Sequence, residues 1–229
     1  MGSRGLGSKG LGSSIKGSTE RAVEYKTSSE AHSVLRNETK RWVKQLESGQ
    51  LEAFQAYTSE DSNRSYRTQN KPLRDSRFTG QTRDEVINNI EQATSNAYIK
   101  ADTLAMDKAI ENYTIPQSFV GYRGAGYSLL GLSKTASFEE VKGMVGSLLH
   151  DRGFMSVSSV KGAEFKRPIL YRVIIPKGTG IGADISSISV MGHGEQETLL
   201  ARGTVYKVMS VKRGRGGKPI VTLKVVGRK

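Results

Sequence analysis

Three short stretches of this sequence carry side chains that could share one piece of chemistry. They are Tyr122-Arg123-Gly124, the run from Gly153 through Ser156 to Ser158, and the run from Gly194 through Glu195 to Glu197. In a strand, side chains two apart share a face, so Ser156 and Ser158 point one way together, and so do Glu195 and Glu197. Paired carboxylates outside any metal-ligand pattern suit charge stabilisation or acid/base work. An arginine at a strand end beside glycine suits a bidentate grip on phosphate, with the backbone free to approach the ligand. Taken singly, each has a plainer reading. A strand-end arginine is usually a surface residue, a Ser-x-Ser pair an edge strand, and a Glu-x-Glu pair a solvated face.

The elements that must position these residues are legible in outline. Thr27 to Glu30 has capping-box spacing, and Ala31, Val34, Leu35, Trp42, Val43 and Leu46 continue it as a helix over 28–48, ended near Gly49. A shorter helical piece follows over Leu51–Tyr57, and 58–80 reads as mostly loop. Helices are predicted over Asp84–Asn96 and Asp102–Asn112. At Phe119 a strand runs into a glycine turn. Ser137 to Glu140 is another capping box, and Val141, Met144, Val145, Leu148 and Leu149 predict an amphipathic helix stopped by Asp151–Gly153. Strands then follow over Phe154–Ser158, Ile169–Ile175, Glu197–Val211 with a break at Arg202-Gly203, and Ile220–Val226 across a glycine-rich turn at 214–217. Helices first and strands second predict an α+β domain rather than a doubly wound sheet.

Composition narrows the chemistry. The 229 residues contain no cysteine, which excludes disulfides, thiolate metal sites and a cysteine nucleophile. The three histidines, His32, His150 and His193, are far apart, so no metal is expected. No apolar run is long enough to span a membrane. No secretory signal is apparent, which predicts a protein delivered into, or acting in, a cytoplasm. The net charge of +13 favours anionic partners. After Glu197 no acidic residue remains, while Arg202, Lys207, Lys212, Arg213, Arg215, Lys218, Lys224, Arg228 and Lys229 do; a solvated basic surface is the plain reading. Residues 1–25 read as a basic, Gly/Ser-rich arm or linker that buries too little apolar surface to fold, and 26–229 as the domain proper.

The ordered set of motifs resembles the mono-ADP-ribosyltransferases of the Arg, Ser-x-Ser, Glu-x-Glu type, a group that includes clostridial binary actin-modifying toxins and phage and bacterial effectors. The resemblance covers roughly 50–211. It is carried by Tyr66, Asn70, Leu73 and Arg74; by Tyr122-Arg123-Gly124; by 148–158; by 174–178; and by 194–204. It implies an ADP-ribosyltransferase-like fold, with N-terminal helices packed on two mostly antiparallel sheets around an NAD cleft. It implies NAD as substrate without a metal, and transfer of ADP-ribose to an arginine of a target protein with an acidic surface. By the resemblance, Glu197 steadies the ribose cation through the 2′-hydroxyl, Ser156 holds Glu197, and Ser158 supports the strand or the site. Arg123 positions the NAD phosphates or ribose, Arg167 matches a second phosphate-binding arginine, and Tyr66, Asn70 and Arg74 belong to the segment over the NAD site. The Gly124 backbone meets the nicotinamide amide, and Phe165 stacks on its ring. Glu195 prepares the acceptor, and its presence in place of glutamine points to arginine. Met191 and His193 lie where the family touches its target, although His193 reads first as a plain loop histidine. Val157 departs from the family's usual threonine.

Two other readings stand beside this one. The first is an enzyme of the same fold that hydrolyses NAD or modifies a non-protein acceptor. The second is a basic nucleic-acid-binding or virion-associated module, supported by charge alone, since no aromatic residues interleave with the basic ones as a reading surface.

Overall fold

The computed structural model describes residues 21–60, 62–192 and 196–229. Glu195 and His193, and residues 1–20 of the arm, lie outside that set.

Helix α1 (Ser28–Val43) begins where Thr27 Oγ1 accepts from the Glu30 amide at 3.2 Å. Its buried stripe is Ala31, Leu35, Thr39 and Trp42, one face at helical spacing. The Trp42 indole donates to the Ala109 carbonyl at 2.8 Å and meets Phe54 and Tyr113 edge-on. That ring therefore ties α1 to α2 (Ser48–Thr58) and to α5 (Tyr98–Glu111). Both helices expected here are found, but the first ends earlier than 48, at Val43, and the second starts at Ser48 with Glu47 as its cap. The stretch 58–80 is not mostly loop: α3 spans Tyr66–Leu73, followed by a 3-10 turn at Ser76–Phe78. Its apolar content is too low to signal a helix, and the burial of Gln69 and Asn70 through hydrogen bonds holds it. The helix expected over 84–96 shortens to α4 (Arg83–Asn88), closed into a capping box by Thr82 and Glu85, plus a 3-10 turn.

The amphipathic helix after Ser137 is the largest misreading. α6 covers only Phe138–Gly143, and Leu148–Asp151 is strand β3. Gly146 adopts φ +92°, which a side chain would resist, and its amide bonds Val208 at 2.8 Å, so sheet pairing begins there. Val145 and Leu148, placed on the buried face by the helical reading, are exposed, while Leu149 is buried.

Two sheets form. The small one pairs β1 (Thr114–Ile115) with β6 (Gly178–Thr179). The large one contains β2 (Phe119–Ala125), β3, β4 (Met155–Ser158), β5 (Ile169–Ile175), β7 (Gly182–Asp184), β8 (Glu197–Leu200), β9 (Thr204–Arg213) and β10 (Pro219–Arg228). Its order is β3-β9-β10-β5-β2-β4-β8-β7, antiparallel throughout except for β10 beside β5. Between β2 and β4 the register records a single pair, Tyr122 opposite Ser158. The sheet is therefore almost two, a five-strand part and a three-strand part hinged at that pair. Gly121 keeps the hinge tight, since a methyl there would lie 2.7 Å from Val157 Cγ2.

Two expectations about the ends of the chain need correction. Residues 22–25 belong to the fold: Val23 pairs with Phe119, and the buried Tyr25 bridges to Val160. A composition-based boundary at 25 misses them because their anchoring partners lie about a hundred residues away in sequence. Arg202 is no surface residue either; it is 1% exposed, with Nε donating to Asp107 Oδ2 at 2.6 Å. Burial pushes the Asp107 carboxyl up, and Arg202 and Arg228 pull it back. The net shift of the Asp107 carboxyl is upward, with burial outweighing the two cations. Asp107→Ala should cost about 3–5 kcal/mol by stranding the buried charge of Arg202. Thermal unfolding would show this as a midpoint lower by roughly 10 °C; an unchanged midpoint contradicts it.

Candidate active site

The split between β2 and β4 positions the site. Arg123 leaves β2 and its Nη1 donates to the Ser156 carbonyl at 2.7 Å, so the two parts of the sheet touch through the residues singled out from sequence. Across β4 and β8, Ser158 stands directly opposite Glu197 and Ser156 opposite Leu199. Opposed residues share a face. Ser158, rather than Ser156, is thus the neighbour square to Glu197, and Ser156 lies on the diagonal. The Ser158 hydroxyl donates to the Val160 carbonyl at 2.9 Å and accepts from the Val160 amide at 3.2 Å, which fixes the chain as it leaves β4.

A cleft of about 350 Å³, open mouth included, brings together Arg123, Gly124, Ser156, Ser158, Phe165 and Glu197. Glu197 is only 7% exposed. Phe165 is exposed on the rim, and its carbonyl packs so closely on Gly124 that a methyl there would sit 1.6 Å from the oxygen. Only glycine permits that approach. Beneath the site lies Tyr57, fully buried, whose hydroxyl is pushed up to about 12 by burial and by the Glu197 charge, against Arg74 and Arg123.

A second cavity of about 800 Å³ adjoins, and Arg123 lines both. Here Arg74, Arg123 and Arg152 gather with His150 and Asp151. Arg74, which caps α3, forks onto Asp151 with bonds of 2.7 and 2.8 Å and also donates to the Phe154 carbonyl at 2.7 Å. Burial opposes the Arg74 charge, but Asp151 more than offsets it, and its guanidinium stays above its ordinary value. Asn70 spends its amide on both sides, donating to Tyr57 at 2.9 Å and accepting from the Phe154 amide at 2.8 Å. It fixes α3 against the turn that leads into β4. Tyr66 packs on Tyr57 and lines neither cavity, and Arg167 is exposed on the loop before β5 and also lines neither. Met191 is exposed, 49%, on the segment ahead of β8.

Sequence reasoning missed Asp151, Arg152, His150 and Tyr57. Asp151 and Arg152 sat inside the wrongly drawn helix stop. The alternation of buried Leu149 and Asp151 was the available signal for a strand. Among the described residues no group of histidines and acids could hold a metal.

The molecule is thus an α+β domain whose sheet splits around a cleft, with a buried carboxylate and a serine on one side and arginines leading into a cationic cavity on the other. The sequence profile of ADP-ribosyltransferase exoenzymes matches residues 33–224. The chain belongs to the ADP-ribosyltransferase exoenzyme family. The curated Staphylococcus aureus protein named epidermal cell differentiation inhibitor is 36% identical over 83 residues, 36% of this chain and 34% of that protein. The match thus spans about a third of that relative. The fold is similar to Plx2a, an ADP-ribosyltransferase toxin from Paenibacillus larvae, with a TM-score of 0.72 at 22% identity, covering 90% of this chain and 100% of that one. It is also similar to C3stau2 from S. aureus, solved with NAD, with a TM-score of 0.70 at 24% identity, covering 90% and 99%. The expected fold class, two sheets flanked by N-terminal helices, is borne out. Among the described residues no helix is long and apolar enough to cross a membrane.

Proposed function

We propose that this protein cleaves NAD at the nicotinamide–ribose bond and transfers ADP-ribose to an arginine of a target protein. One observation carries the reading: Arg123 lines both cavities, so a ligand held there can place diphosphate among arginines and its ribose beside Glu197. The cationic cavity takes the two phosphates, with Arg123 and Arg74 as their nearest partners. Nicotinamide enters the smaller cleft, its amide on the Gly124 backbone and its ring under Phe165.

The bond from C1′ to the pyridinium nitrogen breaks with its electron pair, and nicotinamide leaves neutral. The ribose that remains carries oxocarbenium character, as in glycoside cleavage. Glu197, buried and fixed, stabilises that charge where it develops, which is worth more in a low-dielectric cleft than in water. A guanidine nitrogen of the acceptor then bonds C1′ and its proton passes to a base. Glu195, two residues before Glu197, is assigned that role. The net charge of +13 supports an acidic face on the target.

Incubating the chain with NAD and a host lysate, then mapping modified peptides by mass spectrometry, tests this. ADP-ribose on arginine is the expected result, whereas modification of another side chain, or no nicotinamide release, contradicts it. Gly124→Ala should raise the KM for NAD about tenfold or more, because the Phe165 loop must move away and overpacking of this kind costs about 1–3 kcal/mol. A steady-state titration with an unchanged KM would remove Gly124 from the nicotinamide site.

A further inference from the structure

The two halves of the site ride on parts of the sheet that share one registered pair, Tyr122 with Ser158. Beyond that pair, the Arg123 bond to the Ser156 carbonyl and the packing of Gly121 on Val157 cross the junction. The segment just before α1 spans it as well. Val23 donates to the Ser118 carbonyl and accepts from the Val120 amide, both at 2.9 Å, and so runs alongside the start of β2. Two residues on, Tyr25 bridges to Val160, immediately past β4. The Tyr25 ring is buried and stacks on Phe119, centroids 5.6 Å apart. Between them, Glu24 accepts from the Tyr122 hydroxyl at 2.6 Å and pairs with Arg172, the residue opposite Tyr122 on β5.

We infer that residues 23–25 are a strap that sets the distance between Arg123 and Glu197, with Glu24 and Tyr25 as positioning residues for the reaction. The inference rests on the NAD reaction proposed above. The path is continuous on both sides. On one side, Glu24 holds Tyr122, whose chain neighbour is Arg123. On the other, Tyr25 holds Val160, Val160 is held by the Ser158 hydroxyl, and Ser158 faces Glu197. Neither strap residue lines the cleft, so each acts only through the residues it places.

The test uses the full chain and the variants Glu24→Ala, Glu24→Gln, Tyr25→Ala and Tyr25→Phe. Rates are taken well below each unfolding midpoint and expressed per NAD-binding site. Misplacing the carboxylate against a ligand still held by Arg123 lowers kcat more than it raises KM. Glu24→Ala should lose roughly tenfold in kcat and Tyr25→Ala up to about a hundredfold, the scale of a misplacement near 1 Å. Glu24→Gln, which can still accept from Tyr122, should recover part of the loss. Tyr25→Phe should match the natural chain, because the ring does the packing and the buried hydroxyl has no partner among the described residues. Hydrogen exchange should quicken at 119–124 and 156–160 in both alanine variants. The inference is overturned by unchanged kcat per site in both alanine variants, by losses that follow only the folded fraction, or by unaltered exchange at those two stretches. If the natural chain releases no nicotinamide, the proposed reaction fails, and the exchange comparison alone decides the strap.

Discussion

Glu197→Gln should abolish both ADP-ribose transfer and NAD hydrolysis while leaving NAD binding close to normal. Glutamine keeps the size and the hydrogen-bonding reach of the side chain and removes only its charge. Ground-state NAD carries little positive charge on C1′ compared with the transition state, so the lost interaction is one that mattered mostly at the barrier. Such a change lowers kcat with little effect on binding. The expected drop is about a thousandfold or more in kcat, equivalent to about 4 kcal/mol. Glu197 as a whole is 7% exposed, so little bulk water reaches the place where its charge acts. Nicotinamide release and an NAD-binding titration on the same preparation check the point. A variant within a few-fold of the natural rate would exclude Glu197 as the stabilising carboxylate.

Glu195→Gln should separate the two reactions. If Glu195 serves the acceptor and not the ribose, arginine modification disappears and NAD hydrolysis persists, since water needs far less help than a protonated guanidinium to act as nucleophile. Transfer should fall at least about a hundredfold, the usual scale for losing a general base, with hydrolysis within a few-fold of normal. Measuring labelled arginine and free ADP-ribose in one reaction gives both numbers. Equal loss of the two products would place Glu195 on the ribose side and rule it out as the group that prepares the acceptor.

Much of the site was legible because it lies on strands whose side-chain alternation is simple. Arg123, Ser156 and Glu197 do line one cleft, as the order of their motifs implied. What the sequence concealed was set by long-range pairing. Val141 to Leu149 has genuine helical spacing, but Gly143 and Gly146 weaken it and β9 captures the second half as β3. Local periodicity cannot register a partner strand more than fifty residues away. Asp151 was hidden for the same reason, and with it the fork that fixes Arg74. Arg202 was read as surface because charge alone cannot show that Asp107 waits inside the core. The register, too, is invisible in sequence: Ser158 rather than Ser156 stands opposite Glu197. Residues 22–25 looked like the tail of a linker because their anchors, Phe119 and Val160, lie on the far side of the helical half.

The most direct measurement is a crystal structure of the chain with a non-cleavable carbocyclic analogue of NAD. The account predicts the diphosphate in the arginine-lined cavity beside Arg74 and Arg123, the nicotinamide amide on the Gly124 backbone, and the adjoining ring's 2′-hydroxyl against Glu197. Density for the analogue elsewhere on the surface, or a bound pose with Glu197 remote from the ribose-equivalent ring, would contradict it.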